Sequence, residues 1–175
     1  TIPTLLATGL PPHIALGTNK LAASFGSFTA SLTFYRKRLF DPIFWWRSIP
    51  FTAIGAIFGT LLVSSIYTLW LEKMLPIIVF SIAIYTLFSK QMIHTDGNLP
   101  RKDKALHRKQ TGQGLILGFY DGVAGPGTGA FWTVSSSAIY KLNILLSSGL
   151  ARSTNFVSNF CSLVTFIYLA QVNFM

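Results

Sequence analysis

An apolar stretch built to break in its middle sets the terms for this chain. Residues 111–142 read TGQGLILGFYDGVAGPGTGAFWTVSSSAIYKL, apolar enough for a membrane crossing but interrupted by Gly125-Pro126-Gly127-Thr128-Gly129. Pro126 removes an amide donor and the glycines add backbone freedom, so a helix entering this stretch stops and restarts. Irregular backbone at membrane depth survives only where protein or a wet cavity satisfies its polar groups, which makes the break a candidate ligand site. A half-helix restarting at Thr128 would aim its first N–H groups and its positive dipole end into that cavity, an arrangement suited to an anion. Asp121 is the one formal charge between Thr111 and Tyr140, and an ionisable group at that depth is costly unless it is used. The alternative is a glycine hinge between packed helices, with Asp121 capping a helix near the surface. Gly114, Gly118 and Gly122 recur every fourth residue and form a smooth face that admits another backbone, so a partner helix is expected.

Composition places the whole chain in the same setting. Its residues are 51% hydrophobic and only 11% charged, with mean hydropathy +0.51, too little polar surface to coat a soluble globule. The formal charge of +9 lies in two short connectors between apolar runs, the pattern of cytoplasmic loops in membrane proteins. No basic stripe with interleaved aromatics supports nucleic-acid binding. The lone Cys161 reads as a small packing residue. No nucleophile, base and orienter come together in a pattern that implies an enzyme, and no residue cluster implies a metal or another cofactor. His94 and His107 are too far apart for a metal site.

In chain order, residues 1–12 make a short apolar piece ended by Gly9 and Pro11-Pro12, too short to span. Residues 13–35 are rich in Ala, Ser, Gly and Thr with Lys20 as the single strong charge, as expected of a helix buried among helices. Arg36-Lys37-Arg38, Asp41-Pro42 and Trp45-Trp46 form an interfacial connector, the tryptophans reading as an aromatic belt. Residues 48–71 carry no charge and are long enough to cross the bilayer, with a Gly55/Gly59 contact face. A return crossing is expected over 74–88. Lys90 to Gln110, with six Lys or Arg against two Asp, reads as a flexible cytoplasmic loop. Residues 143–149 are expected as an outer turn, and 150–174 as the last span.

The last span echoes the first helix. Thr154-Asn155 fall on Thr18-Asn19 at an offset of 136, which also aligns Ala151 with Ala15 and Thr165 with Thr29. Both helices place a cation beside Thr-Asn: Lys20 in one, Arg152 in the other. Internal duplication with the site at the repeat interface is the usual transporter plan. Residues 1–89 then form the remainder of a first repeat, 90–110 a cytoplasmic basic loop and 111–175 the start of a second. Four crossings per repeat would make the copies parallel, related by an axis along the membrane normal. On this logic an element preceding Thr1 and two crossings following Met175 are expected, and no signal peptide is visible at Thr1.

GFYDGVAGPGTGAF, together with ATGLPPHIALGTNKLAASFGSFTASLTFYRK, resembles the TauE/SafE (TSUP) family of membrane permeases, its YfcA-like members among them. The resemblance implies an all-α, polytopic membrane bundle built from a duplicated four-helix unit in the bacterial inner membrane. It also implies transport of sulfite, sulfoacetate or similar sulfur-containing anions, coupled to an ion gradient. A small oxyanion leaving water needs several donors and compensating positive charge. Backbone amides at Gly127, Thr128 and Gly129 would supply donors, Lys20 and Arg152 the charge, and Thr18, Asn19, Thr154 and Asn155 orienting groups. Asp121 would carry a coupling proton. Alternatively Lys20 and Arg152 snorkel to headgroups, and Asn155 and Asn159 act as interhelical glue. Expected partners are a small anion and the lipid bilayer, with a homo-oligomer left open. The rival class is a non-transporting scaffold whose glycine faces bind another helical protein.

Overall fold

A computed structural model describes residues 11–66 and 99–169, with Thr4, Gly9, Lys73, Ile77, Phe80 and Ile84. The described residues form five helices and no strand: α1 Pro12–Arg36, α2 Ser48–Ser64, α3 Lys104–Val123, α4 Thr128–Tyr140 and α5 Ile144–Tyr168. Most of the expected crossing over 74–88, most of the loop from 90, and His94 lie outside the described residues.

Helix starts follow from local chemistry. Asp103 accepts the Leu106 amide at 2.6 Å, capping α3 at Lys104, so helix begins within the stretch expected as loop and before Thr111. Asn143 accepts the Leu146 amide at 2.9 Å and starts α5 at Ile144, where an outer turn running to Gly149 was expected. Only Lys141 to Asn143 separate α4 from α5, with Lys141 left-handed at φ 56°. α2 ends at Ser64, with Ser65 as its C-cap, short of the expected Leu71; residues 67–71 lie outside the described residues.

Two parallel backbones meet along a glycine seam. The Ser48, Thr52 and Ala56 carbonyls of α2 lie against Gly114, Gly118 and Gly122 of α3, while the Leu115 and Phe119 carbonyls of α3 lie against Gly55 and Gly59. A Cβ on Gly118 would stand 2.3 Å from the Thr52 oxygen, and one on Gly59 2.2 Å from the Phe119 oxygen. The two glycine faces read from the sequence are thus each other's partner.

α1 and α5 pack antiparallel: Ser31 bonds Ser153 at 2.9 Å, and three residues earlier on α1 Phe28 meets Phe156, three residues later on α5, at 5.2 Å. These are the helices that carry the sequence echo. An axis along the membrane normal cannot relate antiparallel helices, so the expected parallel relation does not hold between α1 and α5.

The same correction reaches the broken segment. α4 does not continue the direction of α3 but folds back along it. Asp121 meets Thr128 at 3.0 Å, while Gln113 reaches Ser135 at 2.7 Å and Ser136 at 3.1 Å. At the base, Leu106 shares one apolar cluster with Phe40, Phe44, Trp45, Tyr140, Leu142 and Leu150. The break is therefore the tip of a re-entrant hairpin, and both its ends lie at the base. Trp45, 2% exposed and 4.8 Å from the Tyr140 ring, plugs that base instead of joining an aromatic belt; Trp46 stays exposed. The basic connectors meet here too, with Lys102 over the Phe44 ring at 5.1 Å.

Among the described residues, no helix is long and apolar enough to cross a membrane. Length limits α2 and α4, at 17 and 13 residues, and the distribution of polarity limits the longer helices. Thr52, Thr60, Gln113, Ser136 and Ser158 are buried, while Phe25, Phe58, Ile116, Phe160 and Tyr168 are exposed. Small polar residues facing inward dilute the mean hydropathy of the longer helices, and large apolar residues face outward, the arrangement of a bundle packed by small residues and solvated by lipid.

Candidate functional site

The site forms at the hairpin tip, where α3 ends at Val123, the turn runs from Ala124 to Gly127, and α4 starts at Thr128. Gly125 and Gly127 take φ values of 86° and 75°, a left-handed conformation that side-chain-bearing residues adopt only with strain. Tyr120 donates its hydroxyl to the Pro126 carbonyl at 2.7 Å, and its ring meets Phe131 edge-on at 5.3 Å, which ties the turn to both arms. α4 carries no side-chain cap on its first turn. With 1.5 Å of rise per residue, Asp121 stands about 25 Å from the start of α3, and α5 runs on past Ser158 by about 15 Å. The tip therefore lies well along the bundle from its base, with Asp121 and Thr128 buried and Gly127 exposed.

Asp121 organises this tip. It is 1% exposed, as is Lys20, and Lys20 Nζ lies 2.8 Å from Asp121 Oδ1. The same ammonium donates to the Asp121 backbone carbonyl. Thr128 Oγ1 lies within hydrogen-bond distance of Asp121 Oδ1 and, at 2.7 Å, of the Gly125 carbonyl. Ser158 of α5 donates to Asp121 Oδ2. One carboxylate thus gathers a cation from α1 and hydroxyls from α4 and α5. A Cβ on Gly125 would lie 3.1 Å from Lys20 Nζ and 3.2 Å from Asp121 Oδ1, so the turn leaves room for the pair and little more. The surface-cap alternative for Asp121 does not describe this geometry.

The other residues singled out in the sequence fall around this centre unevenly. Arg152, exposed on α5, flanks the first turn of α4: its Nη1 lies 3.8 Å from where a Cβ on Gly129 would stand. Among the described residues, Lys20 to Asp121 is the one side-chain ion pair, and Arg152 carries no carboxylate partner. Gly127 is exposed and Gly129 half-buried. Thr154 is buried, with its hydroxyl directed to its own helix at the Leu150 carbonyl, 2.8 Å away. Asn155 is half-buried, and its backbone carbonyl accepts the Asn159 amide at 2.7 Å. Thr18 and Asn19 are half-buried on the turn of α1 that carries Lys20. Ser158 lies at helical spacing from Asn155, but nothing in the sequence pairs it with a carboxylate on another helix.

Comparison with known proteins bears on the whole chain. The family model described as "Sulfite exporter TauE/SafE" matches residues 1–175. The chain is 38% identical to a "Probable membrane transporter protein" of Haemophilus influenzae, over 98% of this chain and 66% of that protein. It is 33% identical to "Probable membrane transporter protein YfcA" of Escherichia coli K12, over 98% of this chain and 63% of the relative. A third relative, "Probable membrane transporter protein ORF9" of a Sinorhizobium species, is 31% identical over 98% of this chain and 65% of its own length. The chain thus spans a little under two thirds of the length of these relatives. No solved structure matches it.

Proposed function

From the premise that this chain belongs to the TauE/SafE family of membrane transporters, we propose that it is part of a secondary transporter of small sulfur-containing oxyanions, sulfite or organosulfonates, driven by an ion gradient. Its setting on this reading is the bacterial inner membrane, crossed several times, and it performs no covalent chemistry.

The observation that carries the proposal is the hairpin tip, with an uncapped helix start, a buried Lys20–Asp121 pair and Arg152 alongside. An oxyanion that has lost water gains most from fixed N–H donors and a nearby cation. The amides of the first α4 turn beyond Thr128, whose own N–H is held by the Gly125 carbonyl at 3.3 Å, supply the donors, and Arg152, without a carboxylate partner among the described residues, supplies the charge, with Lys20 held beside the turn by Asp121. Antiparallel α1 and α5 fit transporters whose inverted repeats rock against each other around a fixed central site. The glycine faces that a scaffold would offer to another protein are filled by each other, α2 against α3, and this weighs for transport.

Uptake of radiolabelled sulfite or sulfonate into proteoliposomes of the full-length protein tests the reading. Flux is expected from the wild type and is expected to vanish in Arg152→Ala. Absence of flux for every oxyanion, from correctly inserted protein, overturns it.

A further inference from the structure

Asp121 and a transported oxyanion compete for one ammonium. Lys20 Nζ is committed to Asp121 Oδ1 at 2.8 Å, so it cannot serve as the receptor of a second anion while the carboxylate stays charged and in place. Expelling a charged Asp121 from Lys20 would leave a buried carboxylate with two hydroxyl partners, and an unpaired buried charge is strongly disfavoured. Protonation removes that obstacle.

The surroundings suit a carboxyl that changes charge. Apart from Lys20, the groups on the carboxylate oxygens are the Thr128 and Ser158 hydroxyls, which can donate to a carboxylate and, by rotating, accept from a carboxylic acid. A backbone N–H or a guanidinium, which only donate, could not make that exchange. Lys20 also donates to the Asp121 backbone carbonyl, a contact that survives when the carboxyl lets go and keeps the ammonium at the tip. The charged and titratable groups facing the pair among the described residues are few. Arg152 of α5 lies across the first α4 turn at Gly129, and the Tyr120 hydroxyl of α3 is bonded to Pro126. From α2 the Thr60 hydroxyl reaches the Gly122 carbonyl, next to Asp121 in the chain.

We propose, resting on the oxyanion reading above, that Asp121 is an internal competitor of the substrate, so that one proton and one anion enter the tip together. A proton from water binds an Asp121 carboxyl oxygen, the Lys20–Oδ1 contact is given up, and an oxygen of the anion takes its place on Lys20. Release runs the same steps backward. Coupling arises because the charged carboxylate and the anion exclude each other, and such coupling is reciprocal.

Calorimetry on the full-length protein in detergent tests this, with sulfoacetate as probe because its charge is constant across the range used. In buffers of different ionisation enthalpy, wild-type binding is expected to take up a proton with the anion and to weaken as the pH is raised from about 6 to about 8. Asp121→Asn, which mimics the neutral carboxyl, is expected to bind about 5- to 150-fold tighter at the upper pH, with no proton uptake. Wild-type binding that is independent of pH and releases or absorbs no proton overturns the competition while leaving the oxyanion site standing. So does an Asp121→Asn protein that folds yet binds no tighter. Should that variant fail to fold, the wild-type proton count decides alone. No binding by the wild type at any pH overturns both the site and the competition.

Discussion

A single methyl group placed on α3 should report whether the two backbones touch. In Gly118→Ala the new Cβ would stand 2.3 Å from the Thr52 carbonyl oxygen and 2.9 Å from Thr52 Cα. Those are backbone atoms of a neighbouring helix and cannot swing aside as a side chain would. Ordinary contact needs about 1 Å more, so α2 and α3 must part over their whole seam, loosening the Gly114 and Gly122 contacts as well. Overpacking of this kind costs about 1–3 kcal/mol, with the upper end expected for a backbone obstacle. Gly112→Ala on the same helix is the control. Nothing lies within 4 Å of a Cβ there, so the methyl only restricts the unfolded chain and should stabilise by about 0.5–1 kcal/mol. Thermal melts of both variants of the full-length protein in the same detergent should therefore move in opposite directions from wild type. Equal melting temperatures for the two would refute the claim that α2 and α3 meet backbone to backbone.

Further outcomes follow from the same contacts. Lys20→Met leaves Asp121 buried without its cation and should cost about 3–5 kcal/mol, whereas the double change Lys20→Met with Asp121→Asn should fold near wild-type stability; a single variant as stable as the double one would argue that the pair is not buried together. Asn143→Ala removes the cap of α5 and should lower stability by about 1 kcal/mol, as should Asp103→Ala at α3. Hydrogen exchange at the Leu146 and Leu106 amides, expected to accelerate in the respective variants, checks the cause.

How much of this was legible in the sequence depended on the range of the physics. The break at Gly125-Pro126-Gly127 is a local matter of a missing amide and left-handed glycines, and it appears where the residues put it. The glycine spacings named two contact faces, but spacing identifies a face and not its partner; that α2 and α3 fill each other is a property of the assembled bundle. The direction of the restart was misread because a four-residue turn looks alike whether the chain continues or reverses. What decides it is distant: Gln113 bonding Ser135, and Trp45 seated on Tyr140. The caps at Asp103 and Asn143 were written in the sequence, yet the charge around one and the short polar turn at the other favoured a loop reading. Lys20 and Asp121 were both singled out, Lys20 as a cation for the anion or the headgroups and Asp121 as a costly group that carries a proton, each given a separate role. Only the fold shows that they neutralise each other, because they are 101 residues apart.

The re-entrant hairpin is what brings Asp121 and Thr128 together with Arg152 alongside, and the side of the membrane on which α4 ends tests it most directly. Arg101 and Lys141 are both exposed and line the same cleft at the hairpin base. In the full-length protein with Cys161→Ser, single Arg101→Cys and Lys141→Cys variants can be treated with a membrane-impermeant maleimide from either face of oriented vesicles. Labelling of both positions from the same face is the expected result; labelling from opposite faces would mean that the segment crosses straight through, and the site described at its tip would not exist.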